Sequence, residues 1–288
     1  MQAIIYAGAI LLVLAAVVFL LNRPKRVVIV GSLPTDFPAR GFSHAAFEDL
    51  LKFYVSPTGD VDYDSWQASP EAVESLNSYL VAVAKFSPAS APERFPDKHA
   101  ELAYWMYAYN AYVIRSVIEH WPIDAVTDVR APLEAVKGLG FFYRQRFSFG
   151  GRYLSLLAVE NGIIRKRYQD PRIHFILSCA SDSCPIVRPE LPVGEELEAL
   201  LTRAAVDFIA DPRNVAVDHE AREIVLSRIF KWYRKDFVNH AQLNSAPHAQ
   251  HPLDYIQSIA PKSLARELAQ AIDYRIVYRD FNWSLNAA

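Results

Sequence analysis

Cysteine is scarce in this chain: its 288 residues hold two, too few to staple a disulfide scaffold and enough for one bridge or two free thiols. A surplus of either charge is also missing. Lys and Arg number 30 against 32 Asp and Glu, a formal charge of −2. That balance excludes a polybasic nucleic-acid surface and an acidic solvating tail. Repeats and low-complexity tracts are absent, so repeat arrays are excluded too. Only one stretch is long, apolar and uncharged. It has no Lys or Arg before it and no small-residue cleavage site after it, which argues against a cleaved signal peptide.

That stretch is Ala3 to Leu21, followed by Asn22-Arg23-Pro24-Lys25-Arg26. As a helix it would reach roughly 28 Å, about the thickness of bilayer hydrocarbon. It predicts an uncleaved single-pass anchor contacting the membrane through residues 3–21. Residues 1–26 then form the anchor and its basic flank, 27–41 a linker, and 42–288 one globular domain. Arg23, Lys25 and Arg26 flank the run on its C-terminal side, which by the positive-inside rule holds the domain in the cytoplasm. Export stays open, since a signal anchor can translocate a long domain.

Hydrophobic residues make up 52% of the chain and aromatics 12%, ample for a sizeable core. The spacing predicts helices over Ala45–Tyr54, Pro70–Phe86, His99–His120, Leu156–Tyr168, Gly194–Ala210 and Ile229–Phe237. Hairpins are expected at Arg146–Ser155, around Gly150-Gly151, and at Asn214–Leu226. Ile173–Cys179 reads as a buried apolar strand, and a last strand falls near Tyr274–Arg279. The fold class is α+β: a helix-rich single domain around a small antiparallel sheet, preceded by one N-terminal transmembrane helix.

Three polar positions interrupt apolar patterns. Asn110 sits at the centre of the apolar face of the long helix. A buried amide needs partners, so it either ties down a loop or orients a catalytic imidazole. Glu160 is a carboxylate on the stripe Leu156, Val159, Ile163, Ile164. It forms an ion pair with Arg115, Arg165 or Arg172, or it steers His174. On an extended strand His174 and Cys179 would point to opposite faces about 16 Å apart. The turn Ala180-Ser181-Asp182-Ser183 can fold Cys184 back towards His174. With an imidazole and Arg188 to lower its pKa, Cys184 is the candidate nucleophile and Cys179 a core thiol. The competing reading is one bridge between the two sulfurs.

A zinc site of His174, Cys179 and Cys184 lacks a fourth ligand. Asp60, Asp62, Asp64 and Glu71 imitate a calcium loop without its glycine, and His240, His248 and His251 fall in a polar loop. No metal and no cofactor are expected.

The ordered motifs AYWMYAYNAYVIRSVIEHWP, GGRYLSLLAVENGIIR, DPRIHFILSCASDSCP and SRIFKWYRKDF resemble the DUF547 family, over about Phe42 to Asn286. Asn110 matches its N-A-Y-N helix motif, while Tyr107 stands where the family has the first Asn. The family carries no assigned activity. The resemblance implies an exported or membrane-linked bacterial protein, here at the inner membrane, and one site holding Asn110, His174, Cys179 and Cys184. The expected chemistry is thiol-dependent acyl transfer or hydrolysis, with Cys184 as nucleophile, His174 as general base and Asn110 or Glu160 as orienting group. Arg172 or Arg188 would bind an anionic group of a small-molecule or protein substrate. The alternative is a non-catalytic, membrane-tethered binding or assembly module. No nucleic-acid partner is expected.

Overall fold

The computed structural model describes Leu20, residues 23–134 and residues 136–288. The expected anchor lies outside the described residues. Among those described, no helix is long and apolar enough to cross a membrane. The first element is a two-residue strand, β1 (Lys25–Arg26). Helices α1 (Ala45–Tyr54), α2 (Tyr63–Ala68) and α3 (Pro70–Lys85) then lead to the longest of the described helices, α4 (Lys98–His120). Side-chain caps start three of these. Asp62 accepts from the Ser65 N–H, Ser69 from Ala72 and Asp97 from Ala100, satisfying donors that a helix start leaves unpaired.

From Leu102 to Ile118 every residue of α4 except Arg115 is buried. The sequence pattern marks one apolar face, but the helix runs through the middle of the molecule and is covered all round, as an aromatic-rich helix permits. Three of its four buried tyrosines are satisfied by backbone: Tyr104 donates to the Val83 carbonyl at 2.9 Å, Tyr112 to Ser148 and Tyr107 to Pro192, both at 2.6 Å.

Past α4 the hairpin β2 (Gln145–Phe149) and β3 (Arg152–Leu154) leads into α5 (Leu156–Val159). A wider helical turn, Glu160–Ile164, joins α5 to α6 (Arg165–Tyr168). Gly150 and Gly151 turn the hairpin at φ +56° and +83°, a left-handed pair that suits glycine. A Cβ on Gly150 would strike the Ser87 and Ser90 hydroxyls.

Helix α7 (Glu196–Ala210) precedes the second hairpin, β4 (Val215–Asp218) and β5 (Glu223–Leu226). Helices α8 (Arg228–Trp232), α9 (Arg234–Asn244), α10 (Pro252–Ile259) and α11 (Lys262–Gln270) come next, and β6 (Arg275–Tyr278) ends the run.

The α+β class holds, but the sheet differs from the expectation. Two separate three-stranded sheets form, β1-β2-β3 and β4-β5-β6. Each is an antiparallel hairpin extended by a parallel strand from far along the chain. Residues 27–41, read as linker, lie against the body. Val27 donates to the Arg146 carbonyl, Val27 and Ile29 pack on the core, and the Arg94 guanidinium holds the carbonyls of Pro38, Ala39 and Gly41.

Candidate functional site

The apolar run after Asp170 is not a strand. Asp170 accepts from the Arg172 N–H and Pro171 fills the first position, so Pro171–Phe175 closes as a tight 3-10 turn. A short apolar run looks the same in a buried turn as in a buried strand. The turn leaves His174 with its side chain 1% exposed and its Nε2 2.8 Å from Asp236 Oδ2. Asp236, on α9, is gripped by Arg165 from the end of the Glu160–Ile164 turn, Nε to Oδ2 at 2.7 Å and Nη2 to Oδ1 at 3.0 Å. The imidazole lies flat on the Tyr233 ring, centroids 3.7 Å apart.

Burial raises the Asp236 carboxyl, but its bonds to His174 and Arg165 outweigh that and hold its pKa at about 2. As a carboxylate it only accepts, so Nε2 carries the hydrogen. Burial drives the His174 pKa down, against the opposing pull of Asp236 and Glu160. The ring is therefore neutral near pH 7, with Nδ1 as a free lone pair.

His174 lines a cavity of about 420 Å³ together with Glu160, Tyr109, Tyr233 and both cysteines. Exposed Lys137 adds a cation to this lining. The remaining wall is largely apolar, and Val136, Tyr143, Leu157 and Trp232 stand at its mouth between 40% and 65% exposed. Glu160 is 7% exposed. Burial first, and then this carboxylate, push the Tyr109 and Tyr233 phenols well above their ordinary pKa, so both hydroxyls stay protonated beside it.

The two sulfurs are bonded to each other, and no cysteine is free. Cys184 was expected as a thiolate nucleophile, and in the state described here it is not one, because a bridged sulfur has no ionisable proton. The turn that delivers it is as anticipated in outline. Ala180 adopts a left-handed φ of 57°, and the Cys184 N–H donates to the Ser181 carbonyl at 2.9 Å. The Cys179 N–H points at Cys184 Sγ at 3.0 Å. The closing Asn282–Asn286 segment clamps this loop: Asp182 N–H to Ser284, Asn286 N–H to Ala180, and Asn282 N–H to Ser183 Oγ.

The remaining candidates fall elsewhere. Asn110 does not orient His174. Its Nδ2 donates to the Ile176 carbonyl and its Oδ1 accepts from Ser178, each at 2.9 Å. It pins the strap between His174 and the bridge. Arg172 is spent on Asp170 and Glu198, and Arg188 on Asp207 beside a separate cavity of about 400 Å³. Arg115, a suggested partner of Glu160, pairs with Glu119. His251 caps α10 and meets the Tyr278 hydroxyl. No cluster of metal-ligating side chains occurs among the described residues.

Asp236, Tyr109 and Tyr233 were not singled out from the sequence. All three lie within quoted motifs, but nothing local distinguishes an α9 surface aspartate from one turned inward onto a histidine far back in the chain.

Fold and site together define a helix-rich α+β domain in which a buried His–Asp pair and a bridged cysteine loop share one apolar-walled cavity. The model of DUF547, a family described as a protein of unknown function, matches residues 93–209, so the resemblance read from the motifs is shown over that segment. It spans Asn110, Glu160, His174 and both cysteines, while Tyr233 and Asp236 lie beyond it. No curated protein and no solved structure matches the chain.

Proposed function

We propose that this protein is a membrane-tethered binding module whose cavity receives a single-chain amphipathic molecule. The observation that carries this is the composition of the wall: a largely apolar lining, with His174, Glu160 and the Tyr109 hydroxyl at the inner polar positions, exposed Lys137 among the outer ones, and both sulfurs held in a bridge. An apolar tail displaces water from the wall. A hydroxyl or amide at its polar end donates to Glu160 or His174 Nδ1 and accepts from Tyr109. The test is thermal unfolding of the unreduced full chain with fatty alcohols, fatty amides and lysophospholipids. At a hundred times its Kd, a ligand of the folded state adds about 2.7 kcal/mol of stability. Leu177→Trp, which fills the cavity, should abolish that gain. If no amphiphile shifts the transition, or Leu177→Trp shifts equally, the module reading fails.

One observation favours a second reading: the bridge lines the same cavity as the neutral imidazole. Once a dithiol reduces the bridge, the Cys184 thiol can pass its proton to His174 Nδ1. Its sulfur then adds to an acyl carbonyl, and the leaving group departs with that proton. The thioester so formed is resolved by water or an acceptor. Here the Cys184 thiol of the reduced protein should react with iodoacetamide with a depressed pKa, and His174→Gln should restore an ordinary value near 8.5. An ordinary value before that substitution removes the acyl-transfer reading.

A further inference from the structure

The sheet β1-β2-β3 carries two adjacent arginines on its outer face. In the parallel register Arg26 lies beside Arg146, on the side opposite the buried Gln145, Phe147 and Phe149. Lys25 pairs with Gln145 and Arg152 with Phe149, so these two leave the sheet from its core-facing side at exposed edges. Both outer arginines are aimed rather than loose: the Arg26 guanidinium lies 4.8 Å from the Tyr153 ring centre and that of Arg146 lies 5.0 Å from Tyr143. Such stacking keeps the charge outward and costs little hydration. Beyond Arg26 the chain alternates, with Val27 and Ile29 against the core and Val28 and Val30 at 66% and 80% exposed. Arg26, Val28 and Val30 thus share the outer side of one edge, cationic at one end and apolar at the other.

We propose that this face docks on an anionic phospholipid surface. The arginines would lie at the phosphates and Val28 and Val30 at the level of the headgroups, so that the domain lies down on the membrane. Charge complementarity and chain order argue for that occupant. The uncharged run Ala3–Leu21 ends just before Lys25 in the sequence, so the first folded element of the domain is also the one nearest any tether. Anionic leaflets attract clustered juxtamembrane cations. Tyr143 joins the face to the cavity: it carries Arg146 on its ring and lines the mouth. Docking would therefore turn the cavity towards lipid. The inference rests on the tethered-module reading for that consequence, and on the charge pattern alone for the docking.

The experiment uses the full chain in phosphatidylcholine vesicles and in vesicles with about a third phosphatidylglycerol. Modification of each arginine by neutral phenylglyoxal is followed by mass spectrometry, with exposed Arg266 on α11 as reference. Docking predicts that Arg26 and Arg146 are modified at least about fivefold more slowly with phosphatidylglycerol, the factor expected for one cation near such a surface. Arg266 should be unchanged. Arg146→Glu should release Arg26, and the milder Arg146→Gln should release it partly, with both variants keeping the parent's thermal transition. Equal rates in the two vesicle types overturn the proposal. So does equal protection by free inorganic phosphate, or by polyglutamate with phosphatidylcholine vesicles, which would assign the face to a small anion or an acidic polypeptide. Flotation with phosphatidylcholine alone reports the anchor, and amphiphile binding reports the cavity, so a failure of the tethered module is read separately from a failure of docking.

Discussion

At His174 two opposing effects set the charge of the ring. Asp236 favours the imidazolium and burial disfavours it, and burial prevails. His44, fully enclosed and bonded to the Tyr79 hydroxyl at 2.8 Å, is driven by burial to a pKa of about 3. Both histidines have folded pKa values below the 6.5 of the unfolded chain. The unfolded state therefore binds more protons under acid, and stability present above pH 6.5 is lost as pH falls below it. For His44 the unfolding free energy should drop by about 1.4 kcal/mol per pH unit between pH 6.5 and about 3, and His174 adds a loss of the same sign. Urea unfolding at pH 7.5, 6 and 5 measures this, and His44→Gln should reduce the slope between pH 6 and 5 by about 1 kcal/mol per pH unit. A pH-independent midpoint would contradict the assignment. Asp236 adds a later loss, since its depressed carboxyl stabilises the fold until pH falls through about 3.8 towards 2. Asp236→Asn leaves the Arg165 cation without its carboxylate and should cost about 2–3 kcal/mol. The same change lets the His174 tautomer exchange, visible as a shifted imidazole nitrogen resonance.

Among the elements, α4 and the hairpins were legible in the sequence. Period and capping chemistry are local, and Asp97 and Gly150-Gly151 act within a few residues of themselves. The Pro171–Phe175 turn was misjudged as strand because an apolar run shows burial without direction. Its course is set by Asn110 from α4, which holds both Ile176 and Ser178. Asn110→Ala should leave that buried carbonyl and N–H unpaired, at a cost of about 2–3 kcal/mol, and denaturant titration should show it. Asn110→Asp should behave no better, since a carboxylate cannot donate to the Ile176 carbonyl. The bridge acts on the same strap. Replacing both cysteines by serine should lower stability by about 2 kcal/mol through the freed short loop. An undiminished midpoint would mean the strap is held by Asn110 and the closing segment alone.

Across the whole molecule, the ends of the chain finish the structure. Besides the cysteine loop, residues near Asn286 contact two distant regions: Val61 donates to the Asn286 carbonyl and Tyr63 to its side chain, and Leu285 donates to Asp124. Deleting residues 282–288 removes these together with the clamp on the cysteine loop. It should cost on the order of 3 kcal/mol or more, at about 1 kcal/mol for each lost bond. Amide exchange at Asp182 and Val61 should rise first, and unchanged protection there would show that the closing segment is ornamental. The parallel strands β1 and β6 belong to this scale too. Each joins its hairpin across a long stretch of chain, so one antiparallel sheet was the natural expectation and two mixed sheets the outcome.

The sequence by itself determined the class of fold, the long buried helix, both hairpins, and the segment from Asp170 to Pro185 as the place where chemistry-bearing residues gather. These follow from periodicity, caps and turn residues, whose forces act over a few positions. Only the tertiary structure decided that Asp236 and not Asn110 holds the imidazole, and that Arg172 and Arg188 are spent on carboxylates away from the cavity. It likewise decided that the two sulfurs meet each other. Those outcomes depend on which distant surfaces come into contact, and hydrogen bonds, ion pairs and a bridge form only between groups that packing has already brought within a few ångströms.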